Sequence, residues 1–425
     1  MIAADNNAIV RLLTHDDERQ YKRAFSLFSS KLGSVTSWVG LCLCLVTGSV
    51  WGQSMSDLEA EENKLQIQWL NQFPSYLETS EHAQFRTISG IHLLQSGDPE
   101  AAERGVELID EALSMPNPDP VSLWLVASNC RFRELAHWCD IDRVYAMLVQ
   151  ADPGNAATLM LRFSQTSFAS DELLDSEANR QLLLKAAQAD RFDMYWGRGA
   201  DKLYADALKF AEIKSLPPIP ELSPSNSQFD ISANTYAYYT ALTWLMAKTT
   251  TVAYNNTVEL CRIHSRNQRS ETTKACKKLA RILRNSGKST VTRQIGFAIE
   301  KAMLKEVDPG DPRIRHLQLI GQTFSVVQFC LAPRWHLHIE LLPEAGVAAL
   351  LNWAKNLDAL GEWEGNKLTS IQEYSVSPDD YAVNPANCEK LLDLDDEAME
   401  RLVDGQSPYA AWEKIQAEVG SHKLN

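Results

Sequence analysis

The chain has 425 residues with 41 basic and 55 acidic side chains, a net charge of −14, and 45% hydrophobic residues. Such a composition supports a large buried core and a length of about two ordinary domains. The acidic balance argues against a surface that binds nucleic acid or anionic lipid as a whole.

The first informative element is residues 38–51, Trp-Val-Gly-Leu-Cys-Leu-Cys-Leu-Val-Thr-Gly-Ser-Val-Trp, an uncharged stretch preceded by Arg19, Lys22, Arg23 and Lys31. A basic flank, a short apolar core and the small-residue exit Val50-Trp51-Gly52 before Gln53 are the parts of a secretory signal. Residues 1–52 are therefore expected to be an N-terminal extension with a signal peptide cleaved near Gln53, or an uncleaved signal anchor. Both readings place the remaining chain outside the cytoplasm, in the periplasm or anchored to the inner membrane facing it. The membrane is met only through this segment. Without residues 1–52, which carry five basic and four acidic side chains, 36 basic and 51 acidic ones remain, a net of −15.

Export changes the reading of the cysteines, because disulfides persist in oxidising compartments. Six remain after the signal: Cys130, Cys139, Cys261, Cys276, Cys330 and Cys388. No Cys-x-x-Cys spacing marks a structural zinc site.

The segments that follow read as helices. In 100–114, Ala102, Val106, Ile109 and Leu113 form one apolar stripe, with Glu103, Glu107 and Glu111 elsewhere on the cylinder. Asp98-Pro99, Asp119-Pro120 and Asp311-Pro312 each precede such a segment. Asp can accept the free first-turn N–H groups, and Pro at the first helical position loses no bond. Alternating strand patterns with Asn-Gly turns are nearly absent. The expected fold is all-α.

Asp119-Pro-Val-Ser-Leu-Trp-Leu and Asn155-Ala-Ala-Thr-Leu-Met-Leu stand 36 residues apart, and Gln150-Ala-Asp and Gln188-Ala-Asp stand 38 apart. Two antiparallel helices with their turns occupy about 34 to 40 residues. On this period, and on Ala-rich helix ends such as Glu111-Ala112-Leu113 and Lys185-Ala186-Ala187, residues 98–210 resemble tetratricopeptide-like repeats. Trp124 lacks the glycine that the family motif places after it. The resemblance implies stacked antiparallel helical hairpins forming a superhelix. The layout also looks like that of exported α-helical proteins of Gram-negative bacteria. Residues 215–227 contain four prolines, which cannot continue a helix. They divide a helical-repeat region (53–214) from a second helical region (228–425).

Within the second region, Arg262 to Arg293 holds ten cations against Glu271 alone. On the helix starting near Glu271, Cys276, Leu279, Ile282 and Leu283 form an inward stripe. Lys274, Lys277, Lys278, Arg281 and Arg284 form a neighbouring outward row, a candidate surface for an anionic partner. No aromatic residue interleaves these cations, which argues against single-stranded nucleic acid as the partner. The polar stretch His264 to Thr273 suits a turn between two antiparallel helices and brings Cys261 to Cys276. Cys130 can join Cys139 only if the chain turns near Arg133, because nine residues of unbroken helix span about 13 Å, beyond bridging range. Cys330 and Cys388 are then left to each other.

Arg334-Trp-His336-Leu-His338-Ile-Glu340 would place His336, His338 and Glu340 on one side of an extended segment, a possible transition-metal set. The surrounding sequence is helical, which separates the two histidines, and no second cluster completes a site. No metal or other cofactor is therefore expected. There is no Gly-x-Ser-x-Gly elbow and no phosphate-binding glycine loop. Tyr236, Tyr238, Tyr239 and Trp244 stand at helical spacing and read as core. The expected function is a non-catalytic helical scaffold or binding module of the bacterial envelope, for a protein or an envelope glycan. The other reading is an envelope polysaccharide-acting enzyme, a glycosidase or lyase, whose sign would be a groove with close carboxylates and aromatic walls.

Overall fold

The computed structural model describes residues 68, 72–96, 98–115, 118–129, 139–165, 174–214, 254–332, 343–376, 383–403, 411–412 and 415. The signal segment, the proline-rich stretch 215–227, the tyrosine run at 236–239, Trp244, Cys130 and the His336/His338/Glu340 set lie outside the described residues.

Among the described residues every regular element is a helix and there is no strand. The principal helices are α1 (Ala83–Leu94), α2 (Pro99–Leu113), α3 (Pro120–Asn129), α4 (Ile141–Ala151), α5 (Ala156–Gln165), α6 (Glu177–Ala186) and α7 (Ala200–Ile213). They continue with α8 (Asn255–His264), α9 (Glu271–Ser286), α10 (Thr290–Val307), α11 (Pro312–Cys330), α12 (Pro343–Leu360), α13 (Glu362–Val376) and α14 (Asp396–Val403). A 3₁₀ segment, Pro385–Asp393, precedes α14.

The helix starts follow from their caps. Asp98 accepts from Glu100 N, Asp119 from the Val121 and Ser122 N–H groups, and Asp311 from Arg313 N, each with Pro at the first helical position. Ser176, Ser270 and Ser289 open α6, α9 and α10 in the same way. Short turns then return the chain against itself, so that α1 packs on α2, α9 on α10, and α12 on α13 as antiparallel hairpins. α1 and α2 cross with their backbones in contact. A Cβ on Gly90 would lie 2.8 Å from the Gly105 carbonyl oxygen, and one on Gly105 would lie 2.6 Å from that of Gly90. Only glycine permits that approach.

Each heptapeptide opens a helix, α3 or α5, while Gln150-Ala151 closes α4 and Gln188-Ala-Asp follows the end of α6 at Ala186. Successive pairs stack through α3 on α5 and α4 on α5. The first core runs from Phe73 to Leu357 and gathers side chains from both sides of residues 215–227. A second core joins α11, the 3₁₀ segment and α14 around Phe324, Trp363, Met399 and Trp412. Phe324 and Trp363 stack with ring centroids 4.2 Å apart. Among the described residues no helix is long and apolar enough to cross a membrane.

Two disulfides tie these layers. Cys261 and Cys276 join α8 to α9 with Cα atoms 5.5 Å apart, and Cys330 joins the end of α11 to Cys388 of the 3₁₀ segment. Cys139 is also disulfide-bonded. The bridges enclose chain separations of 15 and 58 residues. In the chain-entropy model these contribute about 3 and about 4 kcal/mol respectively. Cys388→Ser is therefore expected to lower the stability of the oxidised protein more than Cys261→Ser. Both differences should vanish after full reduction, as denaturant titration with and without reductant would show.

Candidate functional site

The cationic stretch resolves into two populations. Four of its arginines are consumed by carboxylates that other parts of the fold bring to them. Arg262 pairs with Glu259 and Glu306, Arg266 Nε reaches Glu306 at 2.7 Å, Arg284 reaches Glu300 at 2.9 Å, and Arg293 reaches Glu364 at 3.2 Å. The hydrogen bond from Arg262 holds the Glu306 carboxyl below the usual range. Arg284 and Arg293 also lie over the rings of Phe297 and Trp363 at 5.4 and 5.0 Å. Arg284 thus leaves the outward row expected of it, drawn down by α10.

Of the remaining six cations, Lys288 is half-buried beside Gly361 and five face solvent. Lys274, Lys277, Lys278 and Arg281 are exposed on α9, and Arg269 on the turn before it. Lys277 donates to Gln268 Oε1 at 2.6 Å. No ion-pair partner stands within 4 Å of Lys274, Lys278 or Arg281 among the described residues. The opposite face of α9 is fixed: Thr273, Cys276, Leu279 and Leu283 are buried, and the Cys261 bridge lies beneath. Lys274 to Arg281 covers about 10 Å of helix, a rigid row rather than a loose tail.

The second candidate is a cleft of about 570 Å³ between the starts of α1, α3 and α7 and the end of α12. Its floor is the loop Arg191 to Gly199, held by one side chain above all. The Asn155 amide, fully buried, donates to Asp152 Oδ2 at 3.1 Å and to the Asp193 carbonyl at 2.7 Å. Its oxygen accepts from Asp193 N at 2.9 Å and Ala157 N at 3.0 Å. All four hydrogen-bonding positions of the amide are used.

Around it, Asp152 accepts from Arg191 and from the Tyr195 hydroxyl. Asp193 accepts from Tyr195 N at 2.8 Å and from Arg198 at 3.3 Å. Asp358 accepts from Gly199 N, and Arg198 donates to the Asp358 carbonyl at 2.6 Å. Tyr195 sits at φ 57°, between Asp193 and the left-handed Gly197 and Gly199. A non-glycine residue persists there because its N–H, hydroxyl and ring are all fixed, the ring against buried Trp124 at 5.7 Å. Burial, and then the bond to Asp152, push its hydroxyl well above the usual tyrosine range.

The cleft gathers carboxylates near an aromatic ring, and Asp119, Asp152, Asp193 and Asp358 each accept from at least one structural donor. The tyrosine is held protonated. Among the described residues no group of three or more His, Cys, Asp or Glu side chains could hold a metal ion. Sequence reasoning did not find this site: Asn155 stands out only as the start of a repeat, and the partner that ties it to the loop, Asp193, lies 38 residues away.

Comparison with known proteins finds no matching family model, no matching curated protein and no matching solved structure.

Removing the Asn155 amide leaves the Ala157 and Asp193 N–H groups and the Asp193 carbonyl without it, and takes one donor from Asp152. Asn155→Ala should cost about 2 to 4 kcal/mol of stability. Asn155→Asp should cost at least as much, since it removes both donors and sets a charge beside Asp152. Urea denaturation of the two variants against the parent chain checks both.

Proposed function

We propose that this chain is a non-catalytic helical scaffold or binding module of the bacterial envelope, with the exposed face of α9 engaging an anionic partner, protein or envelope glycan. The observation that carries the reading is the exposed cationic row Lys274, Lys277, Lys278 and Arg281, without an ion-pair partner among the described residues, on a helix whose other face is locked. In a chain of net charge −14, a fold that neutralises four nearby arginines and leaves these outward supports a surface retained for recognition. The tetratricopeptide-like period and the paired helices accord with a scaffold, because stacked hairpins present extended rigid faces.

Export and residence in the periplasm, or anchorage to the inner membrane facing it, belong to the same proposal. The apolar segment at 38–51 and the disulfides support it. The alternative, an enzyme acting on an envelope polysaccharide, draws on the carboxylates of the cleft. Their pairing with arginines and backbone N–H groups favours the binding module.

Charge reversal of Lys274, Lys278 and Arg281 to Glu tests the proposal. The parent protein is expected to bind polyglutamate or lipopolysaccharide with an affinity that falls steeply with salt. The triple variant should lose at least tenfold, equivalent to about 1.4 kcal/mol, at an unchanged melting temperature. Binding of neither probe, or equal binding by parent and variant, would contradict it. The two probes separate an acidic protein partner from a phosphate-bearing glycan.

A further inference from the structure

We propose that the cleft between α1, α3, α7 and α12 is a second binding site, for a neutral polyhydroxylated ligand of oligosaccharide type. The proposal does not depend on the α9 surface. Its volume of about 570 Å³ lies within the range of small-molecule sites.

The lining carries five carboxylates, Glu81, Asp119, Asp152, Asp193 and Asp358, against three cations, Arg191, Arg198 and Lys202. Asp152 is paired with Arg191, and Asp193 with Arg198. Asp119 and Asp358 lie on backbone N–H groups at the starts of α3 and α7, where the helix dipole is positive. At the rim, Glu81 and Lys202 are exposed and of opposite sign. The lining is thus net acidic, and an anionic ligand meets an unfavourable field.

What remains is unused hydrogen-bonding capacity in matched pairs. Each guanidinium has five N–H groups and each carboxylate about four acceptor positions. Arg191 spends donors on Asp152 and Asp190, and Arg198 on Asp193 and the Asp358 carbonyl. Both keep further N–H groups beside carboxylates with free lone pairs. A hydroxyl is the group that can accept from the one while donating to the other, and vicinal hydroxyls repeat that arrangement. Pro120, Val121 and Ala151 add apolar lining, suited to the C–H groups of a sugar ring. The floor is preorganised by Asn155 and by the Tyr195 contacts, so binding would not have to order it.

The test uses maltotriose, cellotriose and chitotriose as probes of the full chain, by calorimetry and by amide chemical shifts. At least one should bind with a dissociation constant of millimolar or tighter and shift the amides of Tyr195, Arg198 and Gly199. Ala151→Trp, which fills the cleft from an exposed position, should weaken it at least tenfold. The shift map stands independently if that variant fails to fold. Absence of binding by all three probes would overturn the proposal. So would shifts confined to other surfaces, undiminished binding by a folded Ala151→Trp, or binding of trigalacturonate or inorganic phosphate in place of the neutral probes. Loss of binding in the α9 charge-reversal variant would also overturn it, which keeps the two sites distinguishable.

Discussion

The buried amide of Asn155 is the interaction on which the packing of this chain converges. It sits in the turn between α4 and α5 and holds the loop that joins α6 to α7. That loop in turn meets α1 through Gln84 and the Arg198 carbonyl, α12 through Asp358, and the α9–α10 turn through the bond from Lys288 N to the Phe192 carbonyl. Helical hairpins bury stripes against their neighbours but say little about how distant hairpins are set together. Here a polar hub performs that setting. Its cost is low because every donor and acceptor of the amide is matched, whereas a partly satisfied network would be worse than an apolar core.

The close approaches around the hub explain its glycines. A Cβ at Gly197 would stand 2.5 Å from Leu357 Cγ, and one at Gly199 would stand 2.3 Å from Gln84 Oε1. Both residues also need positive φ. Tyr195 takes the same backbone region without glycine's freedom, at a cost of order 1–3 kcal/mol. Its hydroxyl and ring are correspondingly fixed.

The helices were legible in the chain because their signals are local. Asp-Pro caps and period-3.6 stripes require only neighbours within one or two turns, and the stripe of Cys276, Leu279, Ile282 and Leu283 is buried in full. The bridge between Cys261 and Cys276 follows from a polar turn between two such helices. The cleft was not legible, because Asp152, Asp193 and Asp358 come from three separate segments and none has a neighbour in sequence that marks it. The same limit applied to the cationic row. Spacing placed Arg284 beside Lys277 and Arg281, yet Glu300 arrives from α10 and removes it from the surface. Which cations stay free is a property of the neighbouring helices, not of α9.

If the Asn155 hub sets the hairpins together, its loop must be as resistant to opening as the helices it joins. Native-state hydrogen exchange measures this directly. The amides of Ala156, Asp193 and Lys288, bonded to the Arg191 carbonyl, to Asn155 and to the Phe192 carbonyl, should exchange with the same opening free energy as buried amides of α3 and α5. Exchange from these three positions a hundredfold or more faster than from α3 and α5 would show a loop that merely rests on the helices, and would contradict the account.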